Sequence, residues 1–196
     1  MKKKIEIVII LVLIIMIICQ LYYILSLKND IQLKDANCEA MQTQFALNIQ
    51  NIGRRLDGEI SVQDTSKQVF KLSDVINGNS LICRISERYC EQCVEHATSI
   101  LIDHMKEFEI SNVLIFTCSN SYRNLKLQIK EYGLEDYKMY NCSELNIPIE
   151  KTMFPYFMVV DSTLTVRTVY FPTKSTHGTD FDYKHVKMIY DKMITK

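Results

Sequence analysis

Cys90 and Cys93 bracket the tetrapeptide Cys90-Glu91-Gln92-Cys93. Two thiols two residues apart can close a disulfide, and their flanks give the pair a direction. Upstream, Leu81 to Ile85 is a short β-rich run with a single charge, the pattern of a buried strand. Downstream, Val94, Ala97, Leu101, Met105 and Phe108 recur every three or four positions, which is one face of a helix. The pair therefore falls where a strand hands over to a helix. There the first thiol meets unpaired backbone N–H groups and the positive end of the helix dipole. Both favour the thiolate, the nucleophile of disulfide exchange. The second thiol, one turn in, can attack a mixed disulfide and expel the partner.

The other cysteines are Cys19, Cys38, Cys83, Cys118 and Cys142, and an odd total of seven with one close pair is not a disulfide scaffold. The expectation is that most of these behave as small buried hydrophobes, with room for a second disulfide elsewhere. Cys90, Cys93 and His96 also have metal-ligand spacing. Tetrahedral zinc wants a fourth ligand and no second close pair exists, so a soft Cu(I) site is the easier version of that alternative. Val94 directly after Cys93 rules out a haem-attachment motif. Lys and Arg total 23 against 23 for Asp and Glu, which leaves no basic excess for nucleic acid.

The elements that must position the pair follow along the chain. Lys2, Lys3 and Lys4 precede an apolar run from Ile5 to Leu27. About 23 residues at 1.5 Å each give roughly 34 Å, enough to cross a hydrocarbon core of about 30 Å. The run stays bulky to its end and has no small-residue cleavage site, which favours an uncleaved anchor over a signal peptide. Lysines ahead of the span set the N-terminus in the cytoplasm and the remainder outside. The expected division is an anchor over residues 1–27, a helical spacer over 28–56, marked by Cys38, Met41, Phe45, Asn48 and Ile52, and a domain over 57–196. In that domain, Ile60–Val62 and Gln68–Phe70 read as short strands, and Asn77-Gly78-Asn79 as a turn before the central strand. Val113–Thr117, Lys138–Tyr140, Tyr156–Val160 and Val166–Phe171 read as further strands. Helices are marked by Tyr122, Leu125, Ile129 and Tyr132, and by Phe181, Val186, Ile189, Tyr190 and Met193. Strands alternating with helices predict a mixed α/β sheet covered on both faces.

Three stretches together resemble the thioredoxin fold, and specifically the membrane-anchored TlpA-like thiol–disulfide oxidoreductases. These are the lead-in Lys71-Leu72-Ser73-Asp74-Val75-Ile76-Asn77-Gly78, the strand–helix junction at Cys90–Cys93, and Phe154-Pro155-Tyr156-Phe157-Met158-Val159-Val160-Asp161. The resemblance spans roughly Asp57 to Lys196. It implies that Cys90 and Cys93 are the redox pair, that a cis Pro155 packs against them, and that Phe154 pairs with a substrate peptide through its backbone. It implies thiol- or disulfide-containing protein substrates, an upstream membrane electron donor, an extracytoplasmic domain and no cofactor. The chain departs from the pattern in places. It has no tryptophan, Tyr89 precedes the first cysteine, and Arg84 stands where a buried acid would align. Arg84, Glu87 and Arg88 are accordingly candidates for tuning the thiol pKa: nearby cations such as Arg84 and Arg88 favour a thiolate, and Glu87 could take the place of the missing acid only if the loop brings it inward. Two alternatives stay open: the metal carrier, and a non-catalytic interaction domain in which Cys90–Cys93 is a structural disulfide.

Overall fold

The computed structural model describes residues 2–103, 112–172 and 179–194. Met105 and Phe108, and the side chains of Phe181 and Met193, lie outside that description. The chain divides into two compact units, residues 1–45 and 46–196.

Helix α1, Lys2–Asn51, is unbroken, so the apolar run and the polar stretch after it form one helix. Ile14–Gln32 is the one segment among the described residues long and apolar enough to cross a membrane. The last turns of α1 belong to the second unit. The Asn48 side-chain oxygen accepts the Val169 N–H at 2.8 Å, and that of fully buried Asn51 accepts the Ile149 N–H at 3.2 Å.

The second unit is organised by β3 (Ser80–Arg84), β4 (Val113–Thr117) and β6 (Tyr156–Val160), each buried at every position. A strand covered on both faces reads as a continuous apolar run, which is why these three stand out in the sequence. With β1 (Ser61–Asp64), β2 (Val69–Lys71), β5 (Lys138–Asn141) and β7 (Val166–Tyr170) they form one mixed sheet, ordered β2-β1-β5-β4-β3-β6-β7. β3, β4 and β5 run parallel, β6 returns antiparallel beside β3, and β7 pairs antiparallel with β6 at the sheet edge.

Helices α3 (Glu91–Asp103), α4 (Tyr122–Glu131) and α5 (Thr179–Ile194) pack on one face of the sheet, around Leu81, Cys83 and Ile85. The single-turn α2 (Leu72–Val75), the 3₁₀ turn Pro148–Thr152 and the chain around Leu56 cover the other, around Ile82, Phe116 and Tyr156. α4 starts on Ser121, whose hydroxyl accepts the Asn124 N–H. It ends where Gly133 takes φ +62°, a left-handed position that glycine holds without penalty.

Candidate functional site

β3 ends at Arg84, and a turn closed by the Tyr89 N–H on Ser86 O carries the chain to α3. Cys90 O accepts the Val94 N–H at 3.0 Å, the first hydrogen bond of α3, so Cys90 occupies the N-cap. Its side chain is exposed, whereas Cys93, inside the first turn, is partly buried. The cap is a thiol where serine, threonine or aspartate would be usual. This places a thiol at the positive end of a helix whose apolar side, Val94, Ala97, Ile100 and Leu101, is locked into the core.

The turn before Cys90 is held from both sides. The Ser86 hydroxyl and the Glu87 N–H both donate to Cys118 O at 3.4 Å. The Glu87 carboxylate points to the start of α4, accepting the Asn120 N–H at 2.9 Å and the Asn124 amide at 3.0 Å. Arg88 is exposed. Burial raises the Tyr89 hydroxyl pKa, and the neighbouring Arg84 guanidinium partly offsets this. A cleft of about 310 Å³ between α3 and α4 opens beside this turn, with Glu87, Tyr89, Glu91 and Glu131 among its walls.

Arg84 is 2 % exposed and points to the face opposite α3. Its guanidinium donates to Cys142 O and Ser143 O, each at 2.9 Å, and its Nε lies 2.8 Å from Glu150 Oε1 in an ion pair not aligned as a hydrogen bond. Glu150 in turn accepts the Leu145 N–H at 2.6 Å. The structure thus gives the buried Arg84 cation a largely buried carboxylate from the 3₁₀ turn. Glu150 carries no sequence signal for this, because the pairing exists only in three dimensions.

His96 faces α5. Its Nε2 lies 2.5 Å from Asp182 Oδ2, and Asp182 is fully buried and also accepts the Tyr170 hydroxyl. His96 is thereby committed to a helix–helix contact. Among the described residues, no group of three His, Cys, Asp or Glu side chains converges to hold a metal. The Cys90/Cys93/His96 ligand set is corrected on that geometry. Asp182 had a legible signal: an acid on the stripe shared with Val186, Ile189 and Tyr190.

Phe154 and Pro155 precede β6. Arg84 pairs with Tyr156, so extending the antiparallel register sets Pro155 opposite Ile85 and Phe154 opposite Ser86, at the end of the sheet that carries Cys90. Pro155 is buried and Phe154 is 52 % exposed. The expected cis bond is corrected: no described peptide bond is cis, and Phe154–Pro155 is trans. The change of direction into β6 is made one residue earlier, at Met153, which takes φ +60° and closes the 3₁₀ turn.

No protein-family model and no curated protein matches the chain. Solved structures do. The chain is similar to a candidate protein disulfide isomerase from Bacteroides thetaiotaomicron, with 12 % identity, a TM-score of 0.55, and 76 % of this chain and 93 % of that one covered. It is also similar to a candidate electron transfer protein from Aquifex aeolicus VF5, with 13 % identity, a TM-score of 0.50, and 70 % and 94 % covered. At such identities the likeness shows the fold, which is thioredoxin-like.

Proposed function

We propose that this protein is a membrane-tethered thiol–disulfide oxidoreductase of the TlpA-like kind, with Cys90 as attacking thiol and Cys93 as resolving thiol. The observation that carries this is the placement of an exposed Cys90 at the N-cap of α3 with a less accessible Cys93 in its first turn. Acting as reductant, the Cys90 thiolate attacks one sulfur of a substrate disulfide. A Cys90–substrate disulfide forms, and the other substrate sulfur leaves as a thiolate that takes up a proton. Cys93, losing its proton, then attacks Cys90 Sγ and releases the second substrate thiol. Two electrons pass to the substrate, and Cys90–Cys93 is left as a disulfide for an upstream membrane donor to reduce. Run backwards, the same steps oxidise a substrate dithiol.

Phe154 and the backbone before Pro155 form the substrate-binding edge in this account, supported by the register that sets them beside Ser86 and by the exposure of Phe154. The apolar segment Ile14–Gln32 and the lysines before it support a single span with the N-terminus in the cytoplasm and the thioredoxin-like domain outside. Substrates are then cysteines of secreted or membrane proteins. Cys93→Ser tests the assignment of roles. It should accumulate mixed disulfides that disappear with dithiothreitol and are absent from the Cys90→Ser, Cys93→Ser double variant. Trapping that persists without Cys90 would overturn it.

A further inference from the structure

A second pair of cysteines, both free thiols in the structure, lies at the same end of the sheet. The Thr117 and Ser119 hydroxyls both donate to Gln128 Oε1, each at 2.9 Å, so both side chains point to the α4 face. Cys118, between them, therefore projects to the opposite face, where Cys142 is buried beside Phe116. Thr117 pairs with Asn141 in the parallel β4–β5 ladder, and the Cys142 N–H donates to Thr117 O at 2.8 Å. The Asn141 side chain pins the neighbouring backbone, accepting the Ser119 N–H at 2.9 Å and donating to Ser119 O at 3.1 Å. Cys118 and Cys142 are thus neighbours across adjacent parallel strands, on one face. Strands in a sheet lie about 4.8 Å apart, inside the Cα–Cα range of about 4.4–6.8 Å that a disulfide spans.

We propose that Cys118 and Cys142 form a second, reversible disulfide. Its chemistry needs neither Cys90 nor Cys93. The thiol of Cys118, the more accessible of the two, loses its proton and attacks a protein or small-molecule disulfide, releasing one thiol and forming a mixed disulfide. Cys142 loses its proton and attacks Cys118 Sγ, releasing the second thiol. Two electrons and two protons leave the pair, and one disulfide of the oxidant becomes two thiols. Burial pushes the Cys142 thiol pKa up to about 11, and the nearby Arg84 guanidinium pulls the other way. Both residues support the Cys90 turn through their backbones: Cys118 O accepts from Ser86 and Glu87, and Cys142 O accepts from Arg84. The second couple is therefore built into the scaffold of the first.

The test uses the full-length chain with Cys90→Ser and Cys93→Ser, its fold checked by circular dichroism. The protein is equilibrated in glutathione buffers of graded potential, quenched with iodoacetamide and digested with trypsin. Cys118 and Cys142 fall in separate tryptic peptides, 107–123 and 139–151, each with one cysteine. The expected result is a cross-linked pair of these peptides whose disulfide-to-dithiol ratio changes hundredfold across about 60 mV, as a two-electron couple requires. The link should vanish with dithiothreitol and in a further Cys118→Ser variant. Two separately alkylated or glutathionylated peptides at every potential, or a link from either cysteine to a different one, would overturn the proposal.

Discussion

Replacing Arg84 by methionine separates two roles for the least expected residue near the site. The guanidinium is 2 % exposed, with Glu150 Oε1 at 2.8 Å and two backbone carbonyls at 2.9 Å. Arg84→Met leaves the Glu150 carboxylate, 12 % exposed, without its cation. Removing one partner of a buried pair costs about 3–5 kcal/mol, and stranding the two carbonyls adds to this. Glu150→Gln in the same chain removes the orphaned charge and keeps an oxygen for the Leu145 N–H, so the double variant should recover about 2 kcal/mol or more over Arg84→Met. Urea unfolding of residues 46–196, followed by far-ultraviolet circular dichroism, reads both quantities. A cation acting on Cys90 itself would instead shift that thiol by about one pKa unit or more, because opposite charges within a few ångströms shift acids that far. With the guanidinium engaged elsewhere, the Cys90 titration, read from its alkylation rate against pH, should stay close to wild type. An Arg84→Met loss under about 1 kcal/mol, a double variant no more stable than the single, or a full-unit rise in the Cys90 pKa would each refute the structural account.

Acid should weaken the β6–β7 turn through Asp161. Although burial opposes it, hydrogen bonds from Thr163, Thr165 and Arg167 bring the carboxyl pKa down to about 2. A depressed folded-state pKa gives stability that is present above the unfolded value and lost as pH falls through the folded one. Asp161→Asn should therefore cost about 1–2 kcal/mol, after solvent screening, at neutral pH and nearly nothing near pH 2; an equal cost at both would contradict this. On topology, protease added to cells permeabilised in their outer layers should digest the domain, and full protection would reverse the orientation.

What the sequence made legible was local. The β3–α3 junction and its thiols follow from an apolar run meeting a 3.6-residue stripe, and β4 and β6 stand out because both faces are covered. What stayed hidden depends on contacts between distant segments. Arg84 looked free to act on a thiol until Glu150 and the end of β5 were brought beneath it. Glu87 looked available to replace a buried acid, yet it turns to the start of α4. Asn48 and Asn51 read as ordinary polar positions of a helical spacer, whereas their amides bind the backbone near β7 and at the 3₁₀ turn. Cys118 and Cys142 become neighbours only through the β4–β5 register.

The central claim is that Cys90 and Cys93 form a two-electron couple in which Cys90 attacks. The most direct measurement equilibrates the full-length protein with glutathione buffers, quenches it with a timed alkylating agent and maps the peptide that carries both cysteines. The account predicts a Cys90–Cys93 disulfide that titrates as a two-electron couple between about −270 and −120 mV, with Cys90 alkylated before Cys93 in the reduced protein. No disulfide across that range, or faster labelling of Cys93, would contradict it.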